Sequence, residues 1–259
     1  MSENNLIFLN ASEHLFGLDI SETLMLRNYS HVNGFLFCSM MGGSESIRDL
    51  QEARNLGVEA YEFPLVESLF SVSKIFLALE KVFSDDLSLL AKHKIFIDIC
   101  TKDALEMLLD VKKLSIPSFL KRSNLIFNLN RRSLIRSSRN IRTSSYEVSD
   151  YENQINHIIL EISKPLKDSG HSFSISGGIS NQSLHCLGKA NIKPDFIKTG
   201  LFTISREGFS IDELSRKILN FQSIEAKLLD LMNNSMHFKH SYVNKRQMHM
   251  MNFIIESLV

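Results

Sequence analysis

Residues 94–111 read KIFIDICTKDALEMLLDV, and this stretch decides the fold. Its first six positions, 94–99, hold three isoleucines and a phenylalanine in a run broken by Asp98, close to the pattern of a strand buried on both faces. From Thr101 to Val111 the apolar residues recur instead at helical spacing. One strand followed at once by one helix is the unit from which parallel sheets are built.

The same unit repeats on both sides. Strands are expected over 6–9, 34–39, 58–63, 94–99, 124–130, 172–176 and 196–199, with an eighth and weakest one over 201–204. Helices are expected over 21–29, 44–56, 69–83, 101–111, 151–169 and 181–190, with Ser21 and Ser44 placed as N-caps and Gly57 as a stop. Pro165 falls inside the fifth of these and is expected to kink or shorten it. Seven or eight such units in roughly 210 residues suit an α/β protein of the (β/α)8 TIM-type barrel class better than an open doubly wound sheet. No GxGxxG follows any strand, so dinucleotide binding has no support.

Beyond Gly208 the alternation stops. Helices are expected over 211–221, 224–236 and 243–258 with no strand between them. The chain therefore divides into a barrel over 1–208 and a helical C-terminal extension over 209–259. The extension either packs on the barrel or forms a subunit interface, and a homo-oligomer is expected.

Composition narrows the function classes. The 259 residues carry 29 basic and 29 acidic side chains, and 44% are hydrophobic, which excludes a disordered chain and a general polyanion binder. The three cysteines, Cys38, Cys100 and Cys186, are widely spaced with no CxxC, as in a reducing compartment. No apolar run reaches the ~18 residues of a membrane span, and MSENNLIFLN has neither the basic start nor the apolar stretch of a signal peptide. A cytoplasmic protein without membrane or nucleic-acid partners is expected. His237, His240 and His249 have no Asp or Cys at ligand spacing and are read as surface residues.

Four motifs, in order, carry a family resemblance. MGGSESIRDLQEARNLGVEAYEFPLVES (41–68), IFIDICTKDALEMLLDV (95–111), SISGGISNQSLHCL (174–187) and PDFIKTG (194–200) resemble segments of the HpcH/HpaI aldolase and citrate-lyase superfamily. In the first of them Gly42, Gly43, Glu45, Asp49, Leu56, Gly57, Pro64, Val66, Glu67 and Ser68 fit the superfamily pattern. The resemblance implies a barrel that uses bound Mg²⁺ or Mn²⁺ to stabilise an enolate while a C–C bond is made or broken. A cation chelated by a 2-oxo acid takes up the charge that develops on oxygen, and an Arg completes the clamp.

The chain departs from that pattern at the metal. Where the family has its two carboxylate ligands, this sequence has Cys100 and Ser133, a soft thiol and a weak neutral oxygen. The basic residue of the family's second strand corresponds to Met40 or Met41, and the Arg that follows the seventh strand corresponds to Gly200. No tightly bound metal is therefore expected.

The candidate site residues follow. Glu67 and Arg131 match retained family positions; Glu67 reads as a general base or anchor, or else as a charge at a helix start. Arg131, Arg132 and Arg136 belong to a run of seven basic residues between Lys121 and Arg142 with no acid among them. That run reads as an anion site at the barrel mouth or as a solvated loop. Cys100 reads as a nucleophile, with His93 or His171 as its base, or as a small buried hydrophobe. Gly42, Gly43, Ser176, Gly177 and Gly178 read as substrate-binding, the 176–178 turn bringing backbone N–H groups to a carboxylate or phosphate, or else as a tight turn with no ligand.

Two functions remain open at this point. One is a divergent, metal-poor C–C bond lyase, or an enzyme of related carbon–carbon chemistry, in a biosynthetic pathway, acting on a 2-oxo acid or an acyl-CoA. Its partners are a small anionic substrate or a CoA- or phosphate-bearing ligand. The other is a catalytically degenerate barrel that binds or helps assemble an active enzyme.

Overall fold

A computed structural model describes residues 6–11, 20–42, 46–137 and 148–235. The apolar runs become eight strands: β1 (Ile7–Ala11), β2 (Leu36–Met40), β3 (Ala60–Phe63), β4 (Lys94–Ile99), β5 (Leu125–Asn130), β6 (Ser172–Ser176), β7 (Phe196–Thr199) and β8 (Phe202–Ser205). They close in sequence order into a barrel, as the repeat of strand–helix units leads one to expect. Around it lie α1 (Ile20–Asn33), α2 (Ser46–Asn55), α3 (Leu69–Val82), α4 (Leu87–Leu90), α5 (Lys102–Leu109), α6 (Arg131–Ser137), α7 (Val148–Asp168), α8 (Asn181–Lys189) and α9 (Ile211–Ser235).

Strand parity sorts the side chains into two cores. Leu9, Phe37, Tyr61, Ile97, Phe127, Phe173 and Phe202 face outward and pack with helix residues such as Leu50, Leu79, Leu108, Ile159 and Leu184. Phe8, Cys38, Ala60, Phe96, Ile126 and Phe196 face the bore and form a separate apolar cluster. Within it the rings of Phe8, Phe96 and Phe196 meet edge to face at centroid distances of 5.7, 5.9 and 6.1 Å. These rings plug the N-terminal end of the bore.

The eighth strand breaks the repeat. β1 to β7 pair in parallel, whereas β8 runs antiparallel to both β7 and β1. The cause is the length of the connection. Only Gly200 and Leu201 separate β7 from β8, and a parallel crossover needs about a dozen residues. Gly200 supplies the positive φ, 54°, that so tight a turn requires.

Because β8 is reversed, the chain leaves it at the N-terminal face. α9 then runs in the direction of β1 to β7 as one continuous helix, where two were expected. Leu214, Ile218, Phe221 and Leu228 bury its inner face, and Phe221 packs on the rings of Phe35 and Phe202. Midway along it the buried Glu225 accepts the N–H of Leu201 at 3.1 Å and so holds the hairpin tip.

Other local expectations need adjustment. Ser21 lies inside α1, which starts at Ile20, and is not its cap. Pro165 neither stops nor shortens α7, which continues to Asp168, since so near the helix end its missing N–H removes a single intrahelical bond. Ser44, the helix expected over 243–258 and the three C-terminal histidines lie outside the described residues.

Candidate functional site in the barrel bore

Directly above the apolar plug, the bore turns polar. The side chains at this level are Asn10, Glu62, Asp98, Asn128, Ser174, Lys198 and Thr203, all but Lys198 fully buried. Each lies two residues beyond, or beside, a member of the plug, so parity alone aims it inward. Asp98, Asn128 and Ser174 are register partners on β4, β5 and β6.

These groups form one chain of contacts. The Lys198 ammonium, from β7, crosses the bore to donate to the Glu62 carboxylate on β3. Glu62 shares a hydrogen bond with Asp98. Asn128 donates its Nδ2 to Asp98 Oδ1 at 2.6 Å and accepts from Ser174 Oγ at 2.8 Å. On the far wall Asn10 Nδ2 donates to Thr203 Oγ1 at 2.9 Å. Glu62 is 2% exposed and Lys198 12%, so the pair is closed off from bulk water.

The electrostatics assign protons. Burial, and then the neighbouring Glu62 carboxylate, push the Asp98 carboxyl well above the usual range, against the opposing pull of Lys198 and Asn128. These effects favour the protonated form of the Asp98 carboxyl. Burial draws Lys198 toward neutrality, but Glu62 and Asp98 outweigh it and leave its pKa above that of an ordinary lysine. The bore thus sets the Lys198 ammonium among two buried carboxyl groups, with Asp98 biased toward its acid form.

The residues singled out from sequence fall around the rim of this bore. Cys100 sits just past β4, where burial first and then Asp98 and Glu62 push its thiol up to about 12. It is a thiol, not a thiolate, at neutral pH, and so a weak nucleophile. His93 precedes β4 and His171 precedes β6, so both lie at the opposite end of the barrel from Cys100. Neither is placed to act as its base.

Arg131, 2% exposed, donates to Gly178 O at 3.2 Å and Ser183 Oγ at 2.7 Å, tying the start of α6 to the turn before α8. The space left by the paired glycines is taken by that same segment. A Cβ on Gly177 would lie 2.5 Å from Asn130 Oδ1, and one on Gly178 3.0 Å from the Arg132 guanidinium. Arg132 is exposed above this turn, and Arg136 lies on α6. Ser176 points to the bore side of β6, as Ser174 does, and its buried Oγ has no partner among the described residues. Glu67 is exposed in the loop after β3, where Ser68, not Glu67, caps α3 by accepting from Ser71 N. The Gly42 N–H is already bound by Asp49 Oδ2 at 2.6 Å, and Gly43 lies outside the described residues. Met41 packs in the outer core, and Gly200 forms the hairpin turn.

The basic run does not form one patch. Lys121 and Arg122 precede β5, while Arg131, Arg132 and Arg136 follow it, so a strand roughly 20 Å long separates the two groups.

The donor set does not fit a divalent cation. Cys100 offers a protonated soft thiol, Ser133 lies in the first turn of α6, and the two carboxylates that do meet in the bore enclose Lys198. Among the described residues no cluster of three His, Cys, Asp or Glu side chains has the geometry for a metal.

Sequence reading missed Glu62, Asp98 and Lys198. Their signal is a charged residue at a bore-facing position inside an otherwise buried strand: AYEF, KIFIDI and FIKT.

No protein-family model matches the chain, and no curated protein sequence does. Among solved structures it is similar to Haloferax volcanii malate synthase in its native form at 3 mM glyoxylate, with a TM-score of 0.51 and 10% identity over 91% of this chain and 82% of that one. The magnesium/glyoxylate complex of the same enzyme gives a TM-score of 0.51 at 8% identity, covering 74% and 57%. An HpcH/HpaI aldolase from Desulfitobacterium hafniense gives 0.49 at 11% identity, covering 72% and 74%. At such identities the likeness is one of fold: the chain shares the barrel of malate synthase, a distant structural relation in line with the barrel that its motifs imply.

Proposed function

We propose that this barrel is a metal-independent C–C bond lyase, or an enzyme of closely related enolate chemistry, acting on a small 2-oxo acid or an acyl-CoA. One observation carries the reading: three ionisable groups are buried together in the C-terminal half of the bore, directly above a layer packed with phenylalanine. Burying charge costs several kcal/mol per ion, and apolar side chains fill the layer below at no such cost. Barrels of this class place their chemistry at this end.

The groups suit enolate formation. Breaking a C–C bond beside a carbonyl sends the electron pair to the carbonyl oxygen. The Lys198 ammonium donates a hydrogen bond to that oxygen and so takes the electrostatic role a metal otherwise has. The Glu62 carboxylate accepts the proton of the substrate hydroxyl, and Asp98, biased toward its acid form by burial and hydrogen-bonded to Glu62, relays a proton back to the enolate carbon. In this reading Ser176 Oγ and Arg132 bind the substrate's carboxylate. A second reading, the degenerate barrel, draws on Arg131, whose hydrogen bonds go to its own chain.

The test is solvent deuterium exchange into pyruvate and acetyl-CoA, followed by proton NMR in EDTA. Exchange catalysed by the wild type and lowered about a hundredfold or more in Lys198→Met and Glu62→Gln supports the proposal. Absence of exchange from both compounds sinks it in favour of the degenerate barrel, and exchange that persists in both variants overturns the roles given to Lys198 and Glu62.

A further inference from the structure

The opposite face of the barrel holds a cavity of about 1090 Å³ that the proposed chemistry does not use. Six cations line it: Lys92, Lys94, Lys121, Lys167, Lys193 and Arg206. Three carboxylates share its wall, Glu59, Asp195 and Glu207, leaving a formal excess of three positive charges in a chain whose net charge is zero. Two of those carboxylates are engaged by the main chain. Glu59 accepts from Phe37 N at 2.7 Å and Asp195 from Phe173 N at 2.9 Å.

Some of these cations also serve the fold. Lys167 ends α7 and donates to Lys193 O at 2.9 Å, and Lys94 donates to Asn124 Oδ1 at 2.6 Å. Both acceptors are neutral, so neither hydrogen bond cancels charge. Among the described residues Lys92, Lys121, Lys193 and Arg206 take part in no direct ion pair, although the Arg206 charge still acts on the Asp195 carboxylate. They come from four separate connections, around β4, β5, β7 and β8, yet converge on one bowl. Mutual repulsion of gathered, unpaired cations destabilises the apo protein, and a polyvalent anion relieves it.

We propose that this N-terminal bowl binds a small phosphate-bearing anion carrying several charges. A single carboxylate is too small to engage cations spread around a space at the upper end of small-ligand pockets, about 1,000 Å³. A chain of phosphates spans them. The floor, with Leu6, Phe8, Leu36 and Phe209, accepts an apolar portion of the ligand. The Phe8, Phe96 and Phe196 plug separates this bowl from the bore, so the two sites are physically independent.

Calorimetric titration with inorganic tripolyphosphate at low ionic strength tests the site. Micromolar binding by the full chain is expected, weakening about tenfold or more in Lys121→Glu and in Lys193→Glu. Lys74→Glu, on α3 away from the bowl, serves as the charge control and retains wild-type affinity. Two results overturn the proposal: no binding at millimolar tripolyphosphate, or bowl variants that lose no more affinity than Lys74→Glu. Circular dichroism of each variant confirms its fold. Neither result bears on enolate chemistry in the bore, which Lys121 and Lys193 do not touch.

Discussion

Lys198 and Glu62 sit on strands β7 and β3, on opposite walls of the barrel, and their ion pair bridges the bore. Removing one partner leaves the other charge buried alone, so Lys198→Met is expected to cost about 3–5 kcal/mol near neutral pH. Restoring neutrality in the double variant Lys198→Met/Glu62→Gln is expected to recover most of that loss. A double-mutant cycle by chemical denaturation measures it, and additive single losses would show that the pair is not coupled.

His171 gives the fold a pH dependence. It is buried against the Phe127 ring, and burial, with the Arg122 charge, lowers its pKa from 6.5 to about 4. Between those values the unfolded chain binds a proton that the folded chain refuses. This contribution to stability is therefore intact above pH 6.5, falls as pH drops toward 4, and changes no further below it. The loss amounts to something on the order of 2 kcal/mol. Thermal melts from pH 7 to 4 check this against His171→Phe, in which that part of the slope disappears.

Cys100 is expected to resist alkylation. Iodoacetamide labelling at pH 8 proceeds far more slowly than at a free thiol, because the thiol's pKa is about 12. Since burial is the first cause and the neighbouring Glu62 carboxylate only adds to it, Glu62→Gln raises the rate without making it fast. Rapid stoichiometric labelling of Cys100 at neutral pH would contradict this assignment.

Gly177 is fixed twice over. Its φ is +87°, and an added Cβ would lie 3.1 Å from the amide nitrogens of Arg131 and Arg132, besides meeting Asn130. Gly177→Ala is therefore expected to destabilise by about 2–3 kcal/mol. Gly208→Ala, with φ +81° but open space around it, measures the conformational part alone and should cost less. Equal losses in urea melts would show that the contact with the α6 start contributes nothing.

How legible the molecule was in its sequence depends on how local each signal is. The strands over 94–99, 172–176 and 196–199 are read to the residue, because each is a short segment of β-favouring apolar residues in KIFIDI, SFSIS or FIKT whose ends abut turn- or cap-forming residues. The direction of β8 was also legible, since two residues cannot make a crossover, but the expectation of a regular repeat overrode the count. The bore network was hidden for another reason. Motif comparison directs attention to strand ends and turns, whereas Glu62, Asp98 and Lys198 are isolated charges inside strands, and only the closed barrel brings residues 62, 98 and 198 to one level.

The β7–β8 hairpin also shapes the order in which the barrel can form. Its ladder joins residues from Thr199↔Phe202 to Phe196↔Ser205, all within one short hairpin, so it belongs to the contacts that assemble in microseconds. The β1–β8 ladder instead joins Ile7 to Ile204 and closes a loop spanning most of the chain. A preformed two-stranded ribbon thus presents β8 ready-aligned, and the slowest search reduces to β1 finding one prepared edge. Pulse-labelled hydrogen exchange should accordingly protect Thr203 and its β7 partners before β1, and protection of β1 first would refute this order.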